Sequence, residues 1–201
     1  MADLTWVQTT IVVILLLCVL VSTVPMINTA VQFLTLPFHA VRNHYPRAKP
    51  YHPNIAVVIP AWNEGMVIGP AIERMLNLEY PAERLRVFVV DDASTDDTPE
   101  VVAATSAAYP GRVAHLRREV GGEGKAHTLN HGLDVILGDS WAEAVLIMDA
   151  DVIFAKDSLR KLSRHLADEK VGAVTAYIAE GSADRNYLTR FIAIEYVISQ
   201  L

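Results

Sequence analysis

Cysteine is nearly absent from this sequence of 201 residues, which contains only Cys18. A single cysteine excludes an intrachain disulfide, and with it the class of small disulfide-rich secreted domains. An excess of basic residues is absent too, because 17 lysines and arginines stand against 23 aspartates and glutamates, for a formal charge of −6. Proteins that bind nucleic acids need a basic face, so the composition argues against a nucleic-acid partner.

Acidic and basic residues are also missing from the whole stretch between Leu4 and Val41. This apolar stretch exceeds the roughly 20 residues that a membrane-spanning helix needs. A cleaved signal peptide is the competing interpretation. It would begin with basic residues and have a shorter apolar core, whereas the start of this chain carries Asp3 and no lysine or arginine. We therefore predict a transmembrane segment over residues 1–41. A second pass after Pro25 is the more complicated alternative, because the remaining apolar stretch is short for a span.

Basic residues follow the apolar stretch directly, at Arg42, Arg47 and Lys49. By the positive-inside rule they place the rest of the chain in the cytoplasm, which predicts a single-pass protein of the cell membrane. Residues 42–53, rich in proline, form a linker in this interpretation, and residues 54–201 form a cytoplasmic domain.

The sequence of this domain alternates short apolar runs with helical patterns. Wholly apolar runs of four or five residues are typical of strands that are covered on both faces. We predict strands at residues 55–59, 87–90, 113–116, 144–148 and 171–177, and helices at 67–76, from Thr98, at 125–137, at 157–166 and at 186–201. Thr98 is expected to cap its helix through the hydroxyl group, with a proline at the first helical position. This alternation implies an α/β fold, a mainly parallel sheet with flanking helices.

Polar clusters follow three of the predicted strands at their carboxyl ends. They are Pro60 to Glu64, Asp91 to Asp97, and Asp149 to Asp151. Parallel sheets bind ligands in the crevice at the carboxyl ends of their strands. We therefore expect the three clusters to meet on one rim of the domain.

The Asp-x-Asp cluster of Asp149 and Asp151 is the best candidate for a metal site. In an extended segment, side chains two residues apart point the same way, and two carboxylates at one point repel unless a cation lies between them. Mg²⁺ and Mn²⁺ prefer oxygen ligands and usually bind through one or two carboxylates plus substrate phosphates. A capped turn with a solvated Asp151 is the alternative. The position after a buried strand favours a site for a metal and a diphosphate.

Asp91 and Asp92 also follow a buried strand, where a carboxylate can accept hydrogen bonds from a base or from ribose hydroxyls. A turn that holds the next helix is the alternative, and Ser94 fits either role. The glycines of residues 121–124 precede a predicted helix, whose N-terminus favours anions, and Lys125 is placed to contact a phosphate.

Two further sets of side chains remain open to a structural interpretation. His127 and His131 are four residues apart, but a helical histidine pair needs further ligands to form a zinc site, so we interpret His127 as a packing or cleft-lining residue. Trp62 is either a base-stacking platform or a residue of the rim, and the second interpretation is preferred.

Four segments resemble the family 2 glycosyltransferases in order and spacing. They are Val58-Ile59-Pro60-Ala61-Trp62-Asn63-Glu64, Val89-Val90-Asp91-Asp92-Ala93-Ser94-Thr95-Asp96, Gly124-Lys125-Ala126-His127-Thr128-Leu129-Asn130-His131-Gly132-Leu133 and Ile147-Met148-Asp149-Ala150-Asp151. The membrane segment and the stretch 186–196 are similar to the processive branch of hyaluronan, cellulose and poly-N-acetylglucosamine synthases.

The resemblance implies a GT-A fold, a UDP-sugar donor, Mn²⁺ or Mg²⁺ as cofactor, and an inverting transfer to a glycan or lipid-linked acceptor. It places Asn63 and Glu64 near the nucleoside, Asp91 and Asp92 on base and ribose, and Lys125 and Asn130 in the donor pocket. Asp149 would hold ribose or metal, and Asp151 would bind the metal directly. The complete set of candidates for donor binding is Pro60, Asn63, Glu64, Asp91, Asp92, Ser94, Lys125, Asn130 and Asp149, with Asp149 and Asp151 on the metal.

The sequence departs from the family pattern after the Asp-x-Asp motif. The second acidic motif, which holds the catalytic base of the family, and a Gln-x-x-Arg-Trp motif are both absent. Glu180, Asp184 and Glu195 are interpreted as non-catalytic, so we expect the base to lie beyond Leu201 in a longer synthase. The alternatives are a nucleotide-sugar-binding membrane protein without transferase activity and a polyprenyl-phosphate glycosyltransferase.

Overall fold

The computed structural model describes residues 2–41 and 49–176 of the chain. These residues fall into two units: a helix within residues 1–46 and a domain within residues 47–176. Each unit is described by itself. The predicted helix over residues 186–201 lies outside the described residues.

The first unit is one continuous helix, α1, from Ala2 to Val41. Its segment Thr5–Thr35 spans 31 residues with a mean hydropathy of 2.8, which is long and apolar enough to cross a membrane. Its threonine hydroxyls donate to carbonyls of the preceding turn, as Thr23 does to Val19 at 2.7 Å. Such bonds satisfy the hydroxyl groups within the helix itself, which an apolar surrounding requires. Because α1 runs unbroken through Pro25, the structure does not divide the segment into two passes.

The second unit is an α/β domain with a parallel sheet and flanking helices, as predicted, and the sheet has four strands. Its elements are β1 (Ile55–Ala61), α2 (Gly65–Leu76), a 3₁₀ turn (Ala82–Arg84), β2 (Leu85–Asp91), α3 (Thr98–Ala108), β3 (Val113–Arg117), α4 (Lys125–Gly138), β4 (Ala144–Ile147) and α5 (Ser158–His165). The strand order is β3-β2-β1-β4, and β1 pairs with both β2 and β4.

Strand β1 is the centre of the core because helices cover both of its faces. Ile55, Val57 and Ile59 belong to one apolar cluster, which also contains residues of α2, α3 and α5. Ala56 and Val58 belong to a second cluster with Ile136 of α4. A strand that is buried on both sides has no polar position to alternate with, which explains the continuous apolar run in the sequence.

Two strand predictions need correction. Residues 171–176 form no strand, and none of them is buried, so a short apolar run without a covering helix is not held in the sheet. Strand β4 is also not buried throughout, because Val145 and Ile147 are 37% and 49% exposed. Helix α4 packs on β1 and β2, and this leaves one face of β4 accessible.

Candidate functional site

A cleft of about 600 Å³ lies at the carboxyl ends of β1 and β4. The chain leaves β1 toward β2 on one side, while β4 lies on the other, and such a switch point is where parallel sheets bind ligands. The lining residues are Pro60, Ala61, Trp62, Glu64, Asp92, Gly122, Gly124, Lys125, Thr128, Asp149, Ala150 and Asp151. The structure thus brings candidates from all three polar clusters and from the glycine-rich segment together.

Asp149 and Asp151 line the cleft, but their segment is a turn. The amide of Val152 donates to the carbonyl of Asp149 at 3.2 Å, so the expectation of an extended segment is wrong. Strand β4 ends at Ile147, the amide of Met148 makes a last bond to the carbonyl of Val58 on β1, and the backbone then turns. A turn and a ligand-facing carboxylate pair are therefore compatible here.

Lys125 begins α4 and contacts Asp149 across the cleft. Its Nζ atom forms an ion pair with Oδ1 of Asp149, and both side chains are slightly more than half exposed. The ammonium group thus offsets part of the repulsion between the two aspartates. Solvent screens so exposed a pair, which leaves either partner free to exchange for a charged ligand.

The donor set of the cleft fits a hard divalent cation that shares its ligands with a phosphate. Within the described residues, no group of three or more histidine, cysteine or acidic side chains gathers as a metal site. In the part of the chain that the structure describes, the carboxylates of Asp149 and Asp151 are the candidate protein ligands in this cleft. Mg²⁺ usually binds to protein in this way, through one or two carboxylates, with substrate phosphates and waters completing its shell. Among the described residues, His127 and His131 belong to no such group either.

Asp92 lines the cleft with a carboxylate that is already bonded to protein. Its Oδ2 accepts the amide of Gly122 at 3.1 Å, and its Oδ1 contacts the Arg118 guanidinium. Burial raises the pKa of Asp92, but the hydrogen bonds from Gly122 and Arg118 outweigh burial and hold the pKa below its ordinary value. The carboxylate is therefore ionised at neutral pH.

Asp91 is fully buried and does not line the cleft. Its Oδ1 accepts the backbone amide of Ser94 at 2.8 Å. Its Oδ2 lies 3.5 Å from Nε2 of His115 and 3.7 Å from Nε of Arg117 on β3. These contacts fit the turn-holding interpretation, and a contact of Asp91 with the donor stays a prediction.

Asn63 and Ser94 bond to each other's loops and also lie outside the cleft lining. The hydroxyl of Ser94 accepts the amide of Asn63 at 3.0 Å, and Oδ1 of Asn63 accepts the amide of Thr95 at 2.9 Å. Asn63 has a φ of 57°, a left-handed conformation that asparagine tolerates better than most residues. These contacts fix the shape of the loop that carries Trp62 and Glu64 to the cleft.

The prediction that Thr98 caps α3 is wrong. Asp97 occupies the cap position without a side-chain hydrogen bond. The hydroxyl of Thr98 instead accepts the amide of Glu64 at 2.8 Å and donates to Asp96 at 2.6 Å. The Thr98 hydroxyl bonds to the neighbouring loop at Glu64 rather than to an amide of its own helix. A local sequence pattern does not predict such a contact between loops.

The remaining predicted positions are exposed. Asn130 lies on α4 outside the cleft lining, and His127 pairs with Glu123 at 4.0 Å. Trp62 is 64% exposed at the edge of the cleft, in agreement with the rim interpretation. Sequence reasoning missed Thr128 and Arg118. Thr128 stands in one of the four quoted segments, and Arg118 lies three residues before Gly121, where the glycine-rich segment begins.

The sequence of this chain is similar to those of known glycosyltransferases. The family model described as glycosyl transferase family 2 matches residues 56–198. The chain is 35% identical over 150 residues to the probable glycosyltransferase YdaM of Bacillus subtilis (strain 168), which covers 74% of this chain and 35% of that protein. It is 33% identical over 140 residues to a beta-monoglucosyldiacylglycerol synthase of Synechocystis sp. (strain ATCC 27184 / PCC 6803 / Kazusa), covering 69% of this chain and 28% of that protein.

Among solved structures, the domain is similar to the mannosyltransferase PcManGT from Pyrobaculum calidifontis in complex with GDP-Man and Mn²⁺. The TM-score is 0.54 at 31% identity, over 71% of this chain and 44% of that one. The chain spans about a third of the length of the curated relatives it matches. With a family model matched over more than half of its residues and a parallel sheet of the GT-A type, the chain belongs to glycosyltransferase family 2.

Proposed function

We propose that this chain forms the donor-binding part of a membrane-anchored family 2 glycosyltransferase that uses a nucleoside diphosphate sugar. The carrying observation is that the carboxylates of Asp149 and Asp151 share one cleft with the Lys125 ammonium group. Two carboxylates and a lysine at the carboxyl end of a strand suit a diphosphate and its counter-ion.

In this proposal, Asp149 and Asp151 hold Mn²⁺ or Mg²⁺ together with the diphosphate. The bound cation would act as a Lewis acid that stabilises negative charge on the departing diphosphate. Lys125, which pairs with Asp149 in the structure, would contact the phosphate oxygens of a bound donor. The similar mannosyltransferase structure contains Mn²⁺ with its donor, which supports this assignment.

The nucleoside end of the donor occupies the part of the cleft between Pro60, Trp62 and Glu64. Trp62 bounds this part of the cleft as a residue of its rim, with a side chain that is 64% exposed. Asn63, Asp91 and Ser94 shape this wall from behind through their bonds to the loop backbone. A donor contact from Asn130 stays a prediction.

The proposal has two versions, which differ in the nucleotide of the donor and in the acceptor. The sequence resemblance favours UDP, whereas the similar mannosyltransferase structure holds GDP-Man. The processive branch would elongate a glycan with inversion, whereas the name of the Synechocystis relative denotes synthesis of a glycolipid. We propose UDP as the nucleotide and a glycan or a lipid-linked molecule as the acceptor.

Helix α1 serves as the anchor in this proposal, with the domain in the cytoplasm, where nucleotide sugars are found. Its length and apolar composition support the anchor, and the basic residues that follow it support the orientation. Glu180, Asp184 and Glu195 lie outside the described residues, so no catalytic base is assigned.

Calorimetric titration of the full chain in detergent micelles tests the proposal. UDP, GDP and ADP are compared with and without Mn²⁺, using wild type and Asp151→Asn. We expect tightest binding of UDP, dependence on the metal, and a loss of at least about tenfold in Asp151→Asn, because one metal ligand is removed. Asp134→Asn, an exposed aspartate of α4, is the control and should bind as wild type does. Equal binding without metal would overturn the proposal.

A further inference from the structure

One arginine ties the glycine-rich segment between β3 and α4 to the end of β2. We call residues 119–124 the glycine loop. Nη1 of Arg118 contacts the carboxylate of Asp92, and Nη2 contacts the carboxylate of Glu123. The backbone amide of Arg118 also donates to the carbonyl of Asp91 at 2.9 Å. Arg118, which directly precedes the glycine loop, thus connects the end of β2 to the far part of the loop.

The glycine loop itself is folded onto Asp92. The amide of Gly122 donates to Oδ2 of Asp92 at 3.1 Å. Gly121 lies so close to the carbonyl oxygen of Asp92 that a Cβ atom there would be 2.2 Å away. Every larger residue at position 121 would therefore push the loop away from β2, and this close approach gives the loop one defined seat.

The pair of Arg118 and Asp92 is buried, which separates it from an ordinary surface ion pair. The two side chains are only 11% and 10% exposed. Removal of one partner from a buried pair leaves an uncompensated charge, which is strongly destabilising locally. Glu123, at 52% exposure, adds an outer arm to the same guanidinium group. A guanidinium group can serve two acceptors at once through its fork of donors, and a lysine ammonium group is a poor substitute for it.

We infer that Arg118 is a positioning residue of the cleft. By joining Asp92 to Glu123, it holds the glycine loop in the conformation in which Gly122, Gly124 and Lys125 line the cleft. Asp92 contributes to this arrangement, because one of its carboxylate oxygens contacts Arg118 and the other accepts the amide of Gly122. The role of the glycine loop in donor binding rests on the proposed function. The dependence of the loop conformation on Arg118 does not.

Hydrogen exchange of the ligand-free chain in micelles tests the positioning role directly. Arg118→Met should raise the exchange rate of the Gly122 amide, which donates to Asp92, at least tenfold, while the amides of β1 keep their protection. Arg118→Lys should restore part of the protection, because it keeps the charge and one contact. Arg74→Met, an exposed arginine of α2, is the control for loss of charge and should exchange as wild type does. Unchanged loop exchange in Arg118→Met would overturn the inference.

A milder variant covers the case in which Arg118→Met does not fold. Glu123→Gln removes the exposed arm only and should raise loop exchange about threefold, whereas Glu119→Gln, an exposed carboxylate in the same loop, should leave it unchanged. Equal exchange in these two variants would count against the inference.

Titration with UDP and Mn²⁺ then separates positioning from direct contact. If Arg118 positions the loop, the rise in Kd across Arg118→Lys, Glu123→Gln and Arg118→Met follows the loss of loop protection measured without ligand. A raised Kd with an unchanged loop would show direct contact and overturn the inference. If wild type does not bind the nucleotide at all, the proposed function fails, while loop exchange still decides whether Arg118 positions the loop.

Discussion

The carboxylate of Asp96 accepts a hydrogen bond from the backbone amide of Gly65, with 3.1 Å between nitrogen and oxygen. Gly65 begins α2 and Asp96 lies between β2 and α3, so this bond joins the loops that follow two neighbouring strands. The other oxygen of Asp96 accepts the amide and the hydroxyl of Thr98, at 3.0 and 2.6 Å. The two loops behind the cleft are thus held together as one unit.

Gly65→Ala should loosen this unit. A Cβ atom at position 65 would lie 1.8 Å from Oδ1 of Asp97 and 3.1 Å from Oδ2 of Asp96, so the Asp97 side chain would have to turn away and the bond from Asp96 to this amide would be crowded. We expect a loss of about 1 kcal/mol in the free energy of unfolding, as for one weakened hydrogen bond. Urea unfolding of the chain in micelles measures it. Gly172→Ala, where a Cβ atom meets nothing within 4 Å, is the control. Equal midpoints for the two variants would contradict this explanation.

Asp96 should make stability depend on acidity. Its hydrogen bond with the Thr98 hydroxyl is the main cause that holds the pKa of Asp96 below its ordinary value. The folded state therefore prefers the carboxylate. The resulting stability is present above the unfolded pKa of about 4 and is lost as the pH falls through the lower folded pKa. Between pH 6 and pH 3, wild type should lose more stability than Asp96→Asn. Parallel pH profiles would show that Asp96 contributes nothing to this loss.

Tyr80→Phe should weaken the attachment of the segment before β1. The hydroxyl of Tyr80 donates to the carbonyl of Pro53 at 2.6 Å in a buried position, and burial raises the pKa of Tyr80 to about 12. The neutral phenol is thus the stable form, and its stabilising effect is lost only as the pH rises from the unfolded pKa of about 10 toward 12. At neutral pH, removal of the hydroxyl leaves a carbonyl unsatisfied, which costs about 1–3 kcal/mol. Thermal unfolding should show a larger effect for Tyr80→Phe than for Tyr109→Phe, a tyrosine packed against the same core.

Lys125→Met should shift metal and nucleotide binding in opposite directions. Without the ammonium group next to Asp149, Mn²⁺ alone should bind several-fold more tightly, because it no longer competes with Lys125. UDP in the presence of Mn²⁺ should bind about tenfold more weakly, because a charged phosphate contact is lost. Electron paramagnetic resonance of free Mn²⁺ and calorimetry measure the two affinities. Lys156→Met, another exposed lysine, should change neither. A fall in both affinities would mean that Lys125 does not compete with the metal.

The central strands could be predicted because their environment is uniform. Residues of β1 are covered on both faces, so their apolar character alone reveals a strand. The run at residues 171–176, which contains Gly172 and Thr175 among apolar residues, forms no strand. A local pattern does not state whether a neighbouring strand and a covering helix are available, and that tertiary information decides the outcome.

The position of the site could also be predicted, but not the partner of each polar group. Asp149 and Glu64 are predicted because polar residues after parallel strands converge on one edge, and Lys125 because it follows a glycine-rich segment at a helix N-terminus. Asp91, Asn63 and Ser94 bond instead to loop backbone, because short polar side chains suit loops as well as ligands. Arg118 was missed because nothing local tells which carboxylates a long side chain will reach.

The pairing of β1 with both β2 and β4 has a consequence for the order in which the domain assembles. Ile55 pairs with Leu85, which is close along the chain, and with Ala144, which is much more distant. Closing the longer segment costs more entropy, so we expect β1, α2 and β2 to associate first and β4 to join last. Asp149 and Asp151 follow β4, whereas Pro60 and Trp62 follow β1. The two walls of the cleft are therefore brought together by the last long-range contact, and a nucleotide that needs both walls would bind only to molecules that have completed folding.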